Sequence, residues 1–201
     1  MDLTLYKALN GLAAKSDAIE DVLRFIALDA QFFFLALLAG LFLARGKWAS
    51  RNARHGVIAA GLSAAVALAV AQLIVSAWDR PRPYVSHPGS AHLFVSPSHD
   101  PSFPSDHATA AFAIAMAIWL RSRRAGAVAF VMAALLALSR VAVGTHYPSD
   151  VLGGAAIGMA AALFFWLPPI RRPLHRLADW LATVYEHLAT SVAARIRALS
   201  H

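Results

Sequence analysis

The tetrapeptide Pro104-Ser105-Asp106-His107 ends a long polar loop, and an apolar segment at 108–120 follows it directly. A hydroxyl, a carboxylate and an imidazole beside a membrane helix cost free energy unless they contact water or a polar partner. The change from polar to apolar sequence at this point predicts the start of a membrane helix. The tetrapeptide itself predicts a hydrated, chemically active site at the bilayer surface.

Two further polar clusters interrupt the apolar sequence in the same way. Asp79-Arg80-Pro81-Arg82-Pro83 ends the apolar segment before the loop, and residues 139–150 separate two later apolar segments. The loop at 79–103 is long for such a small chain, which is typical of a lid or a binding loop. We expect the three clusters to form one site at one face of a membrane bundle.

The composition predicts an integral membrane protein with a single domain over residues 1–201. Hydrophobic residues make up 59% of the 201 residues and charged residues only 14%, and the mean hydropathy is +0.56, far above that of a soluble domain. The net charge of +7 would suit nucleic acid, but the basic residues cluster beside the apolar segments. Membrane orientation explains that placement better, so we expect no nucleic-acid partner. The chain has no cysteine, which excludes disulfides and thiolate metal sites.

Five apolar segments predict about five transmembrane helices between residues 25 and 167. The segments are 25–44, 57–78, 105–120, 125–141 and 151–167. The first matches the roughly 20 residues that cross a hydrocarbon core, whereas the last three are shorter, so we expect their polar ends near the lipid headgroups. The predicted fold class is therefore all-α, an integral membrane helical bundle.

Both ends of the chain carry an amphipathic pattern. Residues 1–24 combine leucines at helical spacing with charged residues and contain a break at 14–17. Residues 171–200 carry apolar side chains three or four positions apart, from Leu174 to Val192, after a group of arginines. We expect helices that lie at the membrane surface at both ends.

The basic residues predict the orientation in the membrane. Lys and Arg concentrate after the first, third and fifth apolar segments, whereas acidic residues offset most of the basic ones elsewhere. Because the cytoplasmic side carries the excess of Lys and Arg, we expect the N-terminus outside and the C-terminus inside. The three polar clusters then lie at the extracytoplasmic ends of the second to fifth spans.

The polar clusters contain the side chains that a phosphate site needs. Arg82, Arg140 and Arg80 offer forked donors that match phosphate oxygens. Ser105 and the free amides at the start of the following helix add a site for an anion. Arginines that only reach toward the headgroups are the alternative, and Arg121 fits that alternative well.

Two histidines predict phosphoryl transfer through a covalent intermediate. Asp150 follows His146 by four residues, so its carboxylate can set the imidazole tautomer and leave the other ring nitrogen free to attack. His107 is then the expected donor of a proton to the departing oxygen. Each histidine alone is more often structural, but the joint spacing with Arg140 and Ser105 favours an active site.

The three clusters together resemble the type 2 phosphatidic acid phosphatase superfamily. Its signature is Lys-x6-Arg-Pro, then Pro-Ser-Gly-His, then Ser-Arg-x5-His-x3-Asp, and the third motif is complete here as Ser139, Arg140, His146 and Asp150. The resemblance implies that His146 is the nucleophile that forms a phosphohistidine, Asp150 its partner and His107 the general acid. It also implies that no metal or other cofactor is needed. The phosphate ligands that it implies are Arg82, Ser105 and Arg140.

Two positions depart from that signature. The lysine expected seven residues before Arg82 is Val75, so one phosphate contact is missing or comes from Arg80. The glycine of the second motif is Asp106, as in the bacterial undecaprenyl pyrophosphate phosphatases, which the opening residues 6–13 also resemble. We expect Asp106 to orient one of the arginines. This subgroup implies hydrolysis of undecaprenyl pyrophosphate for recycling of the cell-wall carrier lipid, at the periplasmic face of a bacterial inner membrane.

Three other functions stay open at this point. One is a phosphatase for phosphatidylglycerophosphate, phosphatidic acid or lipid A. Another is a non-catalytic lipid-binding or transport protein, although the polar residues gather at the span ends and not near mid-membrane. The third is a metal hydrolase, although no HExxH-type spacing occurs. Its ligands would come from His87, His92, His99, His107 and His146.

Overall fold

Eight helices and their connecting loops make up the part of the chain that the structure, a computed structural model, describes, namely residues 2–44 and 51–199. They are α1 (Asp2–Ala13), α2 (Asp17–Leu43), α3 (Arg51–Ala77), α4 (Pro83–Ser86), α5 (Asp106–Trp119), α6 (Arg123–Ala142), α7 (Pro148–Trp166) and α8 (Pro168–Leu199). The basic segment at 45–50, which contributed to the predicted orientation, lies outside the described residues. Residue 1 of the predicted N-terminal surface helix and residue 200 of the predicted C-terminal surface helix also lie outside the described residues.

Four of these helices are long and apolar enough to cross a membrane. They are α2, α3, α6 and α7. The predicted third span is α5, which has only 14 residues and covers about 21 Å, less than the roughly 30 Å of a hydrocarbon core. It can be short because α3, α6 and α7 pack around it, so its length does not have to match the lipid. The predicted all-α membrane bundle is confirmed.

The N-terminal segment differs from the prediction of surface helices over 1–24. The chain breaks between Ala13 and Asp17, and α2 then continues without interruption to Leu43. Residues 17–24 therefore belong to the first membrane helix. Asp17 and Glu20 in its first turn favour a helix start there because carboxylates stabilise the positive end of the helix dipole.

The bundle has small residues inside and large apolar residues outside. Alanines dominate the buried positions, while large side chains on the same helices are exposed. This distribution suits a helix bundle in lipid, where close backbone approach stabilises packing and large apolar side chains contact acyl chains. Buried examples are Ala60, Ala67, Ala115, Ala129 and Ala133, and exposed examples are Phe25, Phe32, Leu73, Val131 and Leu152.

Two glycines of α7 determine how closely α5 and α7 approach. A Cβ on Gly154 would lie 2.7 Å from the carbonyl oxygen of Ser105, and a Cβ on Gly158 would overlap the carbonyl oxygen of Thr109. The amide of Ser105 donates to the carbonyl oxygen of Asp150 at 3.1 Å. The close packing thus brings the start of α5, with Ser105, directly beside the start of α7, with Asp150.

The two ends of the bundle differ in what covers them. At the site end, where α3 and α6 end and α5 and α7 begin, α1 and the loop at 87–105 pack over the helices. At the far end, α8 packs against the start of α3 through Arg54 with Glu186 and His55 with Asp179. The predicted C-terminal helix is therefore present, and it begins at Pro168.

Candidate active site

A cavity of about 650 Å³ lies at the site end of the bundle. Side chains from α2, α3, α5 and α6 and from the loops before α5 and α7 surround it. Five of the residues predicted from the sequence line its wall: Arg82, Asp106, His107, Arg140 and His146. Residues from all three polar clusters therefore share one cavity.

His146 lies in the short connection between α6 and α7, and its side chain is almost completely buried. Its Nδ1 lies 2.8 Å from the carbonyl oxygen of Ser102. Because a carbonyl oxygen only accepts, Nδ1 carries the proton and Nε2 carries the lone pair. Nε2 lies 3.4 Å from Nη1 of Arg82. Burial lowers the pKa of the His146 imidazole below its ordinary value, although the nearby Asp150 carboxylate acts in the opposite direction.

Asp150 supports His146 indirectly, in contrast to the direct contact expected from their spacing. Its Oδ2 lies 3.7 Å from Nδ1 of His146, which is too long for a hydrogen bond. The carboxylate is completely buried and accepts from Ser102 Oγ at 2.5 Å and from the Tyr147 amide at 2.8 Å. Asp150 therefore positions Ser102, whose carbonyl oxygen then sets the tautomer of His146. The sequence analysis assigned no role to Ser102, since only the fold brings it to Asp150.

Arg80 is not among the residues that line the cavity. Its Nη1 donates to Asp150 Oδ1 at 2.6 Å and to Ser149 Oγ at 2.7 Å. Its Nη2 lies 2.9 Å from Asp2 Oδ2, and the guanidinium lies 4.4 Å from the centre of the Tyr147 ring. The expectation that Arg80 replaces the missing lysine as a phosphate ligand is thus corrected: carboxylates already occupy its donors, and it stabilises the buried Asp150.

Arg82 and Arg140 are held by backbone carbonyl groups. Nε of Arg82 donates to the Asp100 carbonyl at 2.8 Å, and Nη1 of Arg140 donates to the Ala27 carbonyl at 3.2 Å. Neither forms an ion pair within 4.0 Å with any described residue. Nε of Arg140 is buried and has no hydrogen-bond partner in the described part of the chain. Carbonyls orient a guanidinium without neutralising it, so the cavity keeps two positive charges that suit an anion.

Ser105 occupies the position before the first residue of α5, as predicted. Its hydroxyl makes no capping hydrogen bond, and Oγ is buried without a hydrogen-bond partner among the residues that the structure describes. An unpaired buried hydroxyl is costly unless a ligand satisfies it. Together with the free amides in the first turn of α5, it forms a natural site for a phosphate oxygen. The His107 imidazole, in the same turn, lines the cavity.

Asp106 contacts a glutamine and not an arginine. Its Oδ2 accepts from Nε2 of Gln72 at 3.2 Å, and no ion pair joins it to Arg80 or Arg82 among the described residues. The structure therefore does not place Asp106 as the group that orients either arginine. Gln72 comes from α3, one turn before Val75, and both side chains line the cavity.

Helix α1 holds the loops at the site end, which the amphipathic pattern did not reveal. Asn10 is buried, and its Nδ2 donates to the carbonyl oxygens of His92 at 2.7 Å and Ala142 at 2.8 Å. The amide of His92 donates back to Oδ1 of Asn10 at 2.8 Å. Tyr6 donates to the carbonyl oxygen of Gly144 at 3.3 Å. The sequence signal for this role is a lone asparagine on the apolar side of the helix.

The long loop forms one wall of the cavity. Nε of Arg82 holds it at Asp100, and the Tyr84 hydroxyl donates to the Ser98 carbonyl at 2.7 Å. Its three histidines, including His99, do not line the cavity. Over residues 2–44 and 51–199, no three His, Asp or Glu side chains come together in an arrangement that could hold a metal ion.

Comparisons with known proteins agree with this geometry. A family model described as the PAP2 superfamily matches residues 56–172. The chain is 30% identical over 196 residues to the undecaprenyl-diphosphatase BcrC of Bacillus subtilis, with 97% of each chain covered. It is also 30% identical over 184 residues to the putative undecaprenyl-diphosphatase YbjG of Escherichia coli, with 90% of each chain covered. A crystal structure of Aquifex aeolicus LpxE has the same fold, with a TM-score of 0.62 at 24% identity over 81% of this chain and 93% of that chain.

Proposed function

Since the chain belongs to the PAP2 superfamily, we propose that it hydrolyses undecaprenyl pyrophosphate to undecaprenyl phosphate and inorganic phosphate. It is a multi-pass membrane lipid phosphatase. The specific lipid is proposed because the two undecaprenyl-diphosphatase relatives match the chain over nearly its whole length, including helices that contact lipid. Phosphatidylglycerophosphate, phosphatidic acid and lipid A are less favoured substrates.

The observation that carries the proposal is the cavity that His107, His146, Arg82 and Arg140 share. A terminal phosphate in this cavity is bound by the two guanidinium groups and by the unpaired hydroxyl of Ser105. Binding displaces the 3.4 Å contact between Arg82 and Nε2 of His146. The lone pair of Nε2 then faces phosphorus.

In the first chemical step, Nε2 of His146 attacks the terminal phosphorus. The N–P bond forms while the bond from phosphorus to the bridging oxygen breaks, and undecaprenyl phosphate leaves. His107 donates its proton to that departing oxygen. Nδ1 of His146 continues to donate its hydrogen bond to the Ser102 carbonyl oxygen. This hydrogen bond stabilises the positive charge that develops on the ring.

In the second step, water attacks the phosphohistidine. The neutral His107 accepts a proton from that water, the N–P bond breaks, and inorganic phosphate leaves with both histidines in their starting states. Arg82 and Arg140 bind the same phosphoryl oxygens in both steps, so their contribution is electrostatic stabilisation of the transition state. Asp150 keeps Ser102 in place throughout.

We place the site on the periplasmic face of a bacterial inner membrane. The support is the positive charge at the far end, where Arg123 and Arg124 begin α6 and Arg171 and Arg172 lie in the first turns of α8. An extracytoplasmic site also fits a phosphatase that recycles a carrier lipid released outside the cell. Cysteine labelling of intact cells tests this orientation, with a cysteine introduced at Ser86, an exposed residue at the end of α4, expected to react with an impermeant reagent.

The experiment that tests the function measures release of inorganic phosphate from undecaprenyl pyrophosphate by purified protein in detergent with EDTA. We expect turnover in wild type and a loss of about 10³-fold or more in His146→Ala. His107→Ala should lose about 10²- to 10⁴-fold. The matched control is His99→Ala, which changes a histidine of the loop that does not line the cavity and should retain activity.

Two results would contradict the proposal. Full activity in His146→Ala would show that His146 is not the nucleophile. Loss of wild-type activity in EDTA would indicate a metal-dependent hydrolase. Parallel assays with phosphatidylglycerophosphate, phosphatidic acid and lipid A test the substrate. A higher kcat/KM for any of these than for undecaprenyl pyrophosphate would replace the proposed lipid.

A further inference from the structure

Helix α2 contributes a wall of the cavity that no motif in the sequence marks. Arg24, Leu28 and Gln31 line the cavity from α2, and their spacing places them on one face of that helix. The family model begins only at residue 56, so this wall lies outside the part of the chain that the family match covers. It nevertheless faces the same space as His107 and His146.

The position of this wall is tied to the proposed phosphate site. Nη1 of Arg140 donates to the carbonyl oxygen of Ala27 at 3.2 Å, and Ala27 is completely buried. Ala27 lies about one helical turn from Arg24. The same arginine that we assign to the phosphate therefore also holds the turn of α2 that carries Arg24.

Arg24 has little in the structure to neutralise its charge. Its Nη1 lies 3.6 Å from Oε1 of Glu20, one turn away, and its side chain is 46% exposed. Such a pair on a helix surface contributes little and breaks easily. Within residues 2–44 and 51–199, the lysine or arginine residues that line the cavity are Arg24, Arg82 and Arg140. Arg24 is thus the cation that the proposed phosphate site does not already use.

A diphosphate needs a cation for each phosphate group. Arg82 and Arg140 bind the terminal phosphate that His146 attacks, and the phosphate that remains on the lipid gains charge as the bond to the bridging oxygen breaks. Beyond Arg24, helix α2 carries the exposed apolar side chains of Leu28, Phe32 and Leu35, whose spacing places them along one side of the helix. A lipid chain attached to the second phosphate therefore has an apolar surface to follow.

We propose that Arg24 binds the phosphate that stays on the lipid and thereby makes the enzyme prefer diphosphate over monophosphate lipids. This inference rests on the proposed function. It predicts a loss of selectivity on removal of Arg24, because a monophosphate lipid has no second phosphate to bind there. The chemical step on the terminal phosphate keeps all of its own ligands.

The test compares kcat/KM for undecaprenyl pyrophosphate and for phosphatidic acid in wild type and Arg24→Gln. We expect Arg24→Gln to lose about 10-fold or more on the diphosphate, the size expected for a hydrogen bond between charged groups, and less than about threefold on phosphatidic acid. Arg24→Lys, which keeps the charge, should retain most of the preference. Thermal unfolding in detergent should be the same for all three proteins.

The matched control is Lys15→Gln, which removes a positive charge at the same end of the chain but not from the cavity. It should leave both activities unchanged. Equal losses on the two substrates in Arg24→Gln, no loss on either, or the same selective loss in Lys15→Gln would each overturn the inference. Failure of the proposed function looks different, because wild type itself would then not hydrolyse undecaprenyl pyrophosphate.

Discussion

The two ends of the bundle use the same residue types in opposite ways. At the far end, Arg54 lies 2.5 Å from Glu186 and His55 lies 2.9 Å from Asp179. At the site end, backbone carbonyls hold Arg140 and the Nδ1 of His146. A carboxylate neutralises its basic partner, whereas a carbonyl only orients it.

This difference separates a structural contact from a binding site. The pairs at the far end join α8 to α3 and leave little charge for a ligand. The arginines in the cavity keep their charge, and no described residue forms a hydrogen bond with the hydroxyl of Ser105 or with Nε of Arg140. Arg121 at the far end also forms no ion pair with a carboxylate of the described residues, but its guanidinium lies 4.6 Å from the centre of the Trp166 ring, a contact with an aromatic face. The partner of a basic residue thus indicates its role better than the residue type does.

Within this comparison, the largest effect is expected when one arginine at each end is replaced by glutamine. Arg140→Gln should lower kcat/KM for undecaprenyl pyrophosphate by about 10²- to 10³-fold, because it removes a group that stabilises transition-state charge. Its melting temperature should change little. Arg54→Gln should leave kcat/KM of the folded protein unchanged and should lower the melting temperature, because a partly buried ion pair is lost. Steady-state kinetics and thermal unfolding in detergent measure both quantities.

The opposite pattern would break this comparison. If Arg140→Gln mainly reduced stability, or if Arg54→Gln reduced kcat/KM as much as stability, the partner of an arginine would not indicate its role in this protein.

A smaller effect is expected from hydroxyl groups at the two ends. Ser105→Ala should lower kcat/KM by about 10-fold, which corresponds to roughly 1.4 kcal/mol, without loss of stability, since this hydroxyl makes no hydrogen bond with any described residue. The matched variant is Thr183→Ala, whose hydroxyl donates to the Asp179 carbonyl at 2.9 Å within α8. It should leave kcat/KM unchanged. Equal activity losses in the two variants would show that the Ser105 hydroxyl does not bind the phosphate as proposed.

The smallest expected effect is a shift in the pH at which His146 becomes protonated. Because burial lowers the pKa of His146, its neutral form persists as pH falls below the ordinary histidine pKa of about 6.5. The neutral imidazole that we propose as the nucleophile is therefore lost only at a pH below that value, and the acid side of the kcat/KM profile should lie there too. Nitrogen-15 NMR of labelled histidines, with His146→Gln for assignment, should show a proton on Nδ1 and a titration below pH 6.5. A normal pKa would contradict the expected effect of burial, and a proton on Nε2 would contradict the assigned tautomer.

The sequence allowed the fold and much of the cavity wall to be predicted. The apolar segments marked the membrane helices to within a few residues at most of their ends, and the polar clusters between them predicted a shared site. Arg82, Asp106, His107, Arg140 and His146 do line one cavity. These features were predictable because each depends on local sequence: the hydrophobic length of a helix, and the end of the helix to which a polar residue is attached.

Contacts between distant segments were not predictable in the same way. The four-residue spacing suggested a direct bond between His146 and Asp150, but Ser102 from the preceding loop lies between them in the hydrogen-bond network. The forked donors of Arg80 made it a candidate phosphate ligand in place of the missing lysine, but Asp2 and Asp150 bind its guanidinium.

The sequence by itself therefore determined that the protein is a bundle of apolar membrane helices and which chemical groups gather at one end of them. Only the tertiary structure decided which carbonyl holds His146, which carboxylates bind Arg80, and that Arg24 of α2 faces the cavity. The physical reason is that hydrophobic periodicity and helix length are properties of one continuous segment of the sequence. Hydrogen-bond partners are selected by the close packing of separate helices, which the glycines of α7 permit.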